Sequence, residues 1–364
     1  MPRDDLYPLR LQAVHKEKLW GGRNLERLLG KSLSPHALIG ETWEAWEGCR
    51  VENGVHAGQT LQSLVDQDAD AILGSLASQQ KRFPLLFKFI DARDDLSVQV
   101  HPDDTQARAL EGQLFGKTEA WYILDAEADA RLVFGFRRDV KAEEVVSAIQ
   151  NQKLVDLLAF VPVQRGDVVF VPAGTVHAIG KGIVLAEIQE NSDTTYRFYD
   201  WDRNEKGRPL HIDQSLRVFS GKRIEHPKVP SLVLHHERYD ERFLVACRYF
   251  ALTLSEFVQR VDGFATDGKF QILSIVDGAA DILFGASCSS RVSVEQGQTI
   301  VLPARLGTYA IAPPQSCKML RAFVPDLRAD VITPLRQAGC DAAAIISLGG
   351  AVAESNDLAR AALN

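Results

Sequence analysis

No apolar run in this chain approaches the ~20 residues that a membrane-spanning helix needs, so a helical membrane protein is not expected. The opening stretch MPRDDLYPLRLQ lacks the apolar core of a secretory leader. Cysteine is scarce, at positions Cys49, Cys247, Cys288, Cys317 and Cys340, odd in number and without Cys-x-x-Cys spacing. That leaves no disulfide framework and no thiolate metal site, and it fits reduced thiols in a cytoplasmic protein. Basic runs are also missing, and the formal net charge of −7 argues against nucleic acid as a partner. A small anionic substrate suits isolated basic residues better than a polyanion does. With 46% hydrophobic and 24% charged residues in 364, the chain reads as soluble and globular, long enough for two ordinary domains.

What the chain does have is a succession of short apolar runs bounded by Gly, Pro and Asp. FPLLFKFID, LSVQVHP, AWYILDA, DVVFVPAG, IVLAEIQ, FALTLSEF, ILSIVDG and QTIVLPA follow one another between residues 83 and 304. Their length and β-branched content predict strands of a mainly β fold, a sandwich or barrel. Helical spacing interrupts the pattern in TLQSLVDQDADAILG behind a capping Thr60, in DDTQARALEGQLF over residues 103–115, and in KAEEVVSAIQNQKLVDLLAF.

A faint internal repeat runs through these strands. EAWYILDAEADARLVFG and RGDVVFVPAGTVHAI have counterparts in QILSIVDGAADILFG and QGQTIVLPARLGTYAI. Gly166 and Pro172 correspond to Gly297 and Pro303, Glu119 to Gln271, and His177 to Tyr309 with one extra residue in the second turn. Thr253 and Ser255 stand where Gln99 and His101 stand in the first copy. The second copy thus keeps the β framework and loses the chemistry. The polar, Pro-containing residues 226–240 suggest the boundary, giving units at 1–235 and 236–325. Residues 326–364 are Ala-rich, with a helix expected from about Ser355, and either dock on the second unit or trail from it.

Four side chains have the chemistry of a metal site. Gln99 and His101 lie two apart in LSVQVHPDD and so share a strand face. Glu119 follows in GKTEAWYIL, and His177 is presented by a Pro/Gly turn in VPAGTVHAIG. Two imidazoles, a carboxylate and an amide oxygen suit a divalent ion such as zinc. The other histidines have no such context and read as structural or surface residues. In ENSDTTYRFYDWDR, alternation sends Tyr196 and Arg197 to opposite faces. Arg197 among aromatics is suited to an oxyanion, or else to a surface salt bridge with Asp193, Asp200 or Asp202. Lys117 lies two residues before Glu119 and shares its face, and Lys88 interrupts an apolar run. Either could hold a phosphate or tune a proton transfer, although Lys88 on an edge strand would point outward. Trp20, Glu41 and Glu44 could line the pocket, with Trp20 suited better to a core.

The stretch from Gly166 to His177 resembles the second motif of the cupin superfamily, apart from Lys181 where the motif ends in Asn. LSVQVHPDD, GKTEAWYIL, VPAGTVHAIG and ENSDTTYRFYDWDR together resemble the type I mannose-6-phosphate isomerases in their short bacterial form, from about Leu9 to Pro325. The resemblance implies two cupin-like jelly-roll β-barrels with a few inserted helices, the second without a metal site. It implies one zinc ion per chain on Gln99, His101, Glu119 and His177. The implied reaction interconverts mannose 6-phosphate and fructose 6-phosphate, with Arg197 in the place of a catalytic arginine. Lys88 and Lys117 match basic residues of the family's pocket, Lys117 as a catalytic candidate and Lys88, Trp20 and Glu41 as substrate-binding ones. The general base stays open among a water on the metal, Lys117 and a carboxylate such as Glu41. Two rivals remain: a non-catalytic sugar-phosphate sensor on the same fold, and an iron oxygenase, for which Gln99 would block a position dioxygen needs. The expected partner is a small sugar phosphate, with no membrane or nucleic acid involved; monomer and dimer are left open.

Overall fold

The computed structural model describes residues 6–203 and 209–363, and the first five residues of the opening stretch lie outside it. All eight apolar runs read from the sequence form strands, among them Leu85–Ala92, Glu119–Ala126, Val168–Val171 and Ile183–Glu190. The fold is mainly β, and every recorded strand pairing is antiparallel. Among the described residues no helix is long and apolar enough to cross a membrane.

Three sheets carry the architecture. A six-stranded sheet runs in the order Val168–Val171, Glu119–Ala126, Ile183–Glu190, Leu85–Ala92, Val14–Gly22, Ile39–Ala45. A five-stranded sheet runs Tyr196–Tyr199, Val98–Val100, His177–Ala178, Arg131–Phe136, Leu158–Pro162. Trp121, Ile123, Ile183 and Leu185 of the first and Leu132 and Phe134 of the second form one core cluster, so the two sheets face each other. Residues at alternate positions, such as Phe87, Phe89, Ala120, Ala186 and Ile188, join a second cluster on the outer face of the six-stranded sheet. This explains why Leu85–Ala92 and Ile183–Glu190 read as near-continuous apolar runs: each is buried along its whole length.

The third sheet has eleven strands and takes in the second half of the chain. Its long strand Gln271–Phe284 serves two sets of neighbours, turning at a register shift between Ile275 and Asp277 where Gly278 has φ +76°. The repeat read in the sequence reappears in the pairing. Val171 pairs with Glu119 as Leu302 pairs with Gln271, each five residues after a glycine with positive φ, Gly166 and Gly297. Where His177 meets Glu119 in the first copy, the Tyr309 hydroxyl donates to Gln271 Oε1 at 2.7 Å in the second. Strands Leu9–Gln12 and Arg50–Val51, from the start of the chain, complete the edge of this sheet beside Thr299–Leu302.

Helix Leu61–Gln67 starts at Thr60, whose hydroxyl accepts from the Ser63 amide at 3.1 Å. The helix expected over 103–115 is Asp104–Glu111, closed at its start by an Asp103/Gln106 capping box and at its end by left-handed Gly112. The run from Lys141 does not stay helical. Helix Ala142–Gln150 ends before Gln152, which takes φ +56°, and after the short helix Leu154–Leu157 the chain becomes strand Leu158–Pro162, paired with Arg131–Phe136. The connection near residue 235 also holds a strand, Leu232–His235, which forms a hairpin with Asp240–Ala246.

The C-terminal segment docks. Val331, Ile332, Leu335, Ile345, Leu348 and Leu358 are buried in the cluster outside the six-stranded sheet, and the Ala246 amide donates to Leu348 O at 3.1 Å. Asn356 is buried and secures the segment, donating to the carbonyls of Ile346 and Gly350 and accepting from the Ala359 amide. Replacing Leu348 with Ala should therefore lower the free energy of urea unfolding by about 3 kcal/mol. A change below about 0.5 kcal/mol, the usual range for surface sites, would mean the segment contributes nothing to the core.

Candidate metal centre and catalytic cleft

The four candidate ligands come from both facing sheets. Gln99 lies on Val98–Val100 with His101 just beyond it, and His177 pairs directly with Gln99 in the same sheet. Glu119 opens its strand in the opposite sheet and points inward in phase with Trp121 and Ile123. Ligand atoms of His101, Glu119 and His177 all lie within 4.8 Å of one another, and all three residues are buried. Glu119 Oε1 is 3.2 Å from His177 Nε2, and its Oε2 is 3.7 Å from His101 Nε2.

The outer nitrogen of each ring is already engaged. His101 Nδ1 donates to the Thr194 carbonyl at 2.9 Å and His177 Nδ1 to the Thr175 carbonyl at 2.8 Å. Those contacts assign the proton to Nδ1 and turn the bare Nε2 lone pairs toward Glu119. Burial, reinforced by the Lys117 charge, holds His101 well below the ordinary histidine range. Burial likewise takes His177 down to about 4, so both rings are neutral at pH 7. His101 Nε2 and both Glu119 oxygens are buried without a hydrogen bond of good geometry. Such an orphaned set is costly unless something binds there, and two imidazoles with a carboxylate fit a divalent ion. The Gln99 amide nitrogen lies 3.3 Å from His177 Nε2, and half a turn about its last bond would present the oxygen instead.

Beside this cluster lies a cleft of about 280 Å³ whose walls include Trp20, Glu41, Lys88, Lys117, Glu187 and Arg197. Lys117 Nζ is 3.1 Å from Glu119 Oε2. Lys88 is not on an edge. Its strand lies between neighbours, and its ammonium points inward, 2.8 Å from Glu187 and 3.6 Å from Glu41. Burial disfavours that charge, but Glu187 and Glu41 outweigh it and raise the Lys88 pKa. Burial pushes Glu41 upward too, yet Lys88 and Lys18 hold it at about 2, and the Trp43 indole donates to it at 2.7 Å. Glu187 behaves oppositely: burial, then the Glu119 charge, raises its carboxyl above the usual range. The Trp121 indole donates to it at 2.9 Å.

Arg197 and Tyr196 do face opposite ways. Tyr196 is buried with its hydroxyl donating to Glu111 at 2.8 Å, whereas Arg197 pairs with Gln99, lines the cleft, and donates to the Pro209 carbonyl at 2.8 Å. Trp20 is both core and wall. Glu44 is elsewhere, ion-paired with buried Lys31 at 2.5 Å. Glu187 is the residue that sequence reasoning passed over. Its signal was a lone carboxylate in IVLAEIQ at the inward phase of Ile183 and Leu185, directly across from Lys88.

The family model for the phosphomannose isomerase type I catalytic domain matches residues 8–130. Mannose-6-phosphate isomerase ManA of Bacillus subtilis (strain 168) is 36% identical over 324 residues, covering 85% of this chain and 97% of that protein. A mannose-6-phosphate isomerase of Streptococcus mutans is 42% identical over 220 residues, 58% of this chain and 68% of that one. The crystal structure of the mannose 6-phosphate isomerase from Bacillus subtilis superposes with a TM-score of 0.78 at 29% identity, covering 86% of this chain and 99% of its own.

The buried imidazole has a consequence for stability. In chelator-treated protein the unfolded chain takes up the His177 proton near pH 6.5 and the folded chain only near 4. Between those values the unfolded state binds more protons, so stability falls on acidification, by about 2 kcal/mol at pH 5 relative to pH 7. Urea unfolding at the two pH values checks this, and His177→Asn should reduce the difference by about that amount, leaving the fall due to buried His101. An equal drop in that variant would show that His177 is not its source.

Proposed function

This chain belongs to the type I phosphomannose isomerase family, and we propose that it interconverts D-mannose 6-phosphate and D-fructose 6-phosphate by proton transfer between C2 and C1 with one bound zinc ion. The observation that carries this reading is the buried His101–Glu119–His177 set, with neutral imidazoles and unsatisfied carboxylate oxygens, beside a cleft lined by Glu187, whose carboxyl is raised above the usual range. His101, Glu119 and His177 would hold the ion, with Gln99 as the fourth ligand. A divalent ion there supplies Lewis-acid polarisation of sugar oxygens.

The protein's own groups divide the remaining work. An aldose–ketose isomerisation needs a base that takes a proton from one carbon and returns it to the next. Glu41, held at about 2, is too weak a base near neutrality, and its charge is engaged by Lys88 and Lys18. Glu187 is the better candidate: burial makes its carboxylate more basic, while Lys88 and Trp121 fix its orientation. We therefore assign Lys88 to the tuning of Glu187, and Lys117 to the negative charge beside Glu119. Arg197, half-buried on the cleft wall, is suited to an enediolate oxygen through its planar donors. Lys18, about one-third exposed on the same wall, offers a charge for the phosphate, and Trp20 shapes the pocket. Catalysis in this reading belongs to residues 1–235. Residues 236–325 form a unit where Gln271 and Tyr309 replace the ligands, and a cytoplasmic location follows from a metabolic sugar-phosphate substrate.

Purified protein should form fructose 6-phosphate from mannose 6-phosphate, lose the activity on chelation and regain it with zinc. Sugar-phosphate binding without turnover in folded, zinc-loaded protein would favour the sensor instead. Glu187→Gln should lower kcat by roughly 10²–10⁴-fold with KM little changed, the range for loss of a general base. A variant with wild-type kcat would remove Glu187 from the proton transfer.

A further inference from the structure

Residues 116–118 carry Lys117 and lead directly into Glu119, yet they belong to no helix or strand. Their backbone is held from three directions. The Gly116 amide donates to Asp104 Oδ1 at 2.7 Å, the Lys117 amide to the Pro102 carbonyl at 2.9 Å, and the Thr118 amide to Glu190 Oε2 at 2.8 Å. The Glu190 amide in turn donates to the Thr118 carbonyl at 3.2 Å. The approach is close: a Cβ on Gly116 would lie 2.4 Å from the Asp103 carbonyl carbon. These contacts tie the segment before Glu119 to the residues just after His101.

Glu190 is the buried member of this set. It lies at the outward phase of its strand, opposite in direction to Glu187, at a second cleft of about 710 Å³ outside the catalytic one. Its Oε1 is buried and meets no protein donor, and the carboxyl group it faces is Asp104. A proton on Glu190 relieves the repulsion from the Asp104 carboxylate beside it and gives Glu190 a hydrogen bond to donate there. Burial and the Asp104 charge both favour the proton on Glu190. Asp104 Oδ2 accepts a further bond from the Tyr249 hydroxyl at 3.1 Å, and that hydroxyl is itself fixed by Arg248 Nη2 at 2.8 Å. Tyr249 comes from the loop between strands Asp240–Ala246 and Ala251–Phe257 in the second half of the chain.

We propose that Glu190, Asp104 and Tyr249 are positioning residues for the isomerase reaction, a clamp closed from the second half that fixes Lys117 and Glu119 against His101. The inference rests on the function proposed above. None of the three touches the substrate cleft, so their influence runs through the backbone of residues 116–118. The second half of the chain thereby contributes to catalysis without lending a side chain to the site.

The test compares Glu190→Ala, Glu190→Gln and Tyr249→Phe in the full-length protein, reading kcat, KM and the visible absorption of the cobalt-substituted site. Glu190→Ala should lower kcat roughly 10- to 100-fold, the usual cost of losing an outer partner of a metal site. KM should stay within about twofold, because uniform substrate binding is untouched. The cobalt spectrum should change with it. Glu190→Gln should recover most of that loss, since its amide donates to Asp104 while its carbonyl still accepts from Thr118. Tyr249→Phe, which removes only the hydroxyl that donates to Asp104, should lower kcat roughly three- to tenfold. Variants that lose thermal stability alone, with wild-type kcat and cobalt spectrum, would overturn the positioning role. So would Glu190→Gln behaving like Glu190→Ala. An inactive wild type would refute the proposed reaction, and the cobalt spectra would still decide whether the clamp sets the site.

Discussion

The Lys88 ammonium, 4% exposed, lies between Glu187 at 2.8 Å and Glu41 at 3.6 Å, and the rest of the cleft is arranged around keeping that charge out of water. An unpaired charge in such a place would be neutralised or would unfold its surroundings. Pairing it with two carboxylates of different fate resolves the problem and divides their chemistry. Glu41, with Lys18 and Trp43 as further partners, is locked in the ionised form. Glu187 faces Glu119 as well, so part of its partner's benefit is cancelled and its proton affinity rises. The acidic Glu119 is placed to meet a cation that the protein does not itself provide in full. Electrostatics of this kind tie the inner faces of both sheets into one balance.

Much of this was legible in the sequence because strand geometry translates spacing into direction. Gln99 and His101 two apart, Lys117 and Glu119 two apart, and the turn before His177 all converge as the alternation requires. The apolar runs became strands because buried strands in facing sheets need apolar side chains on both faces. What stayed hidden depended on partners far away in the chain. Glu187 is one letter in an apolar run, and only the register with Lys88 and Trp121 gives it meaning. An outward, edge-strand alternative for Lys88 stayed open beside the pocket reading because strand order cannot be deduced from a single strand. The run from Lys141 kept helical spacing past Gln150, but pairing with Arg131–Phe136 claimed its end for a sheet. The Ala-rich C-terminal segment gave no periodic signal because it docks through six scattered aliphatic residues rather than along one stripe.

The internal repeat keeps one β framework while the inward side chains change. Glycines with positive φ at Gly166 and Gly297 preserve the turns, and the paired positions that follow are in the same register. In the second copy the Tyr309–Gln271 hydrogen bond fills the space between the strands, so no buried polar atom of that pair is left wanting an ion. The polar group nearby is satisfied within the protein as well. Burial would raise the Glu241 carboxyl, but the Arg321 guanidinium at 2.6 Å dominates and holds it at about 2. Satisfied polar pairs make a rigid interior, and orphaned ones make a site. The two copies differ by that choice.

Strand Leu9–Gln12 pairs with Thr299–Leu302, setting Leu9 against Val301. One side of this strand is met early, by Arg50–Val51, but the other side waits for Thr299–Leu302 in the second half of the chain. Strand Arg50–Val51 adds to the same edge, and the chain passes from it directly into the helices that precede the Lys88 strand. Contacts so distant in sequence are slow to form, because the loop they close must be ordered before any reward is felt. The first half of the chain cannot complete this sheet before Thr299–Leu302 is available. Its assembly is completed by residues of the second half, and pairing across that distance joins the two halves.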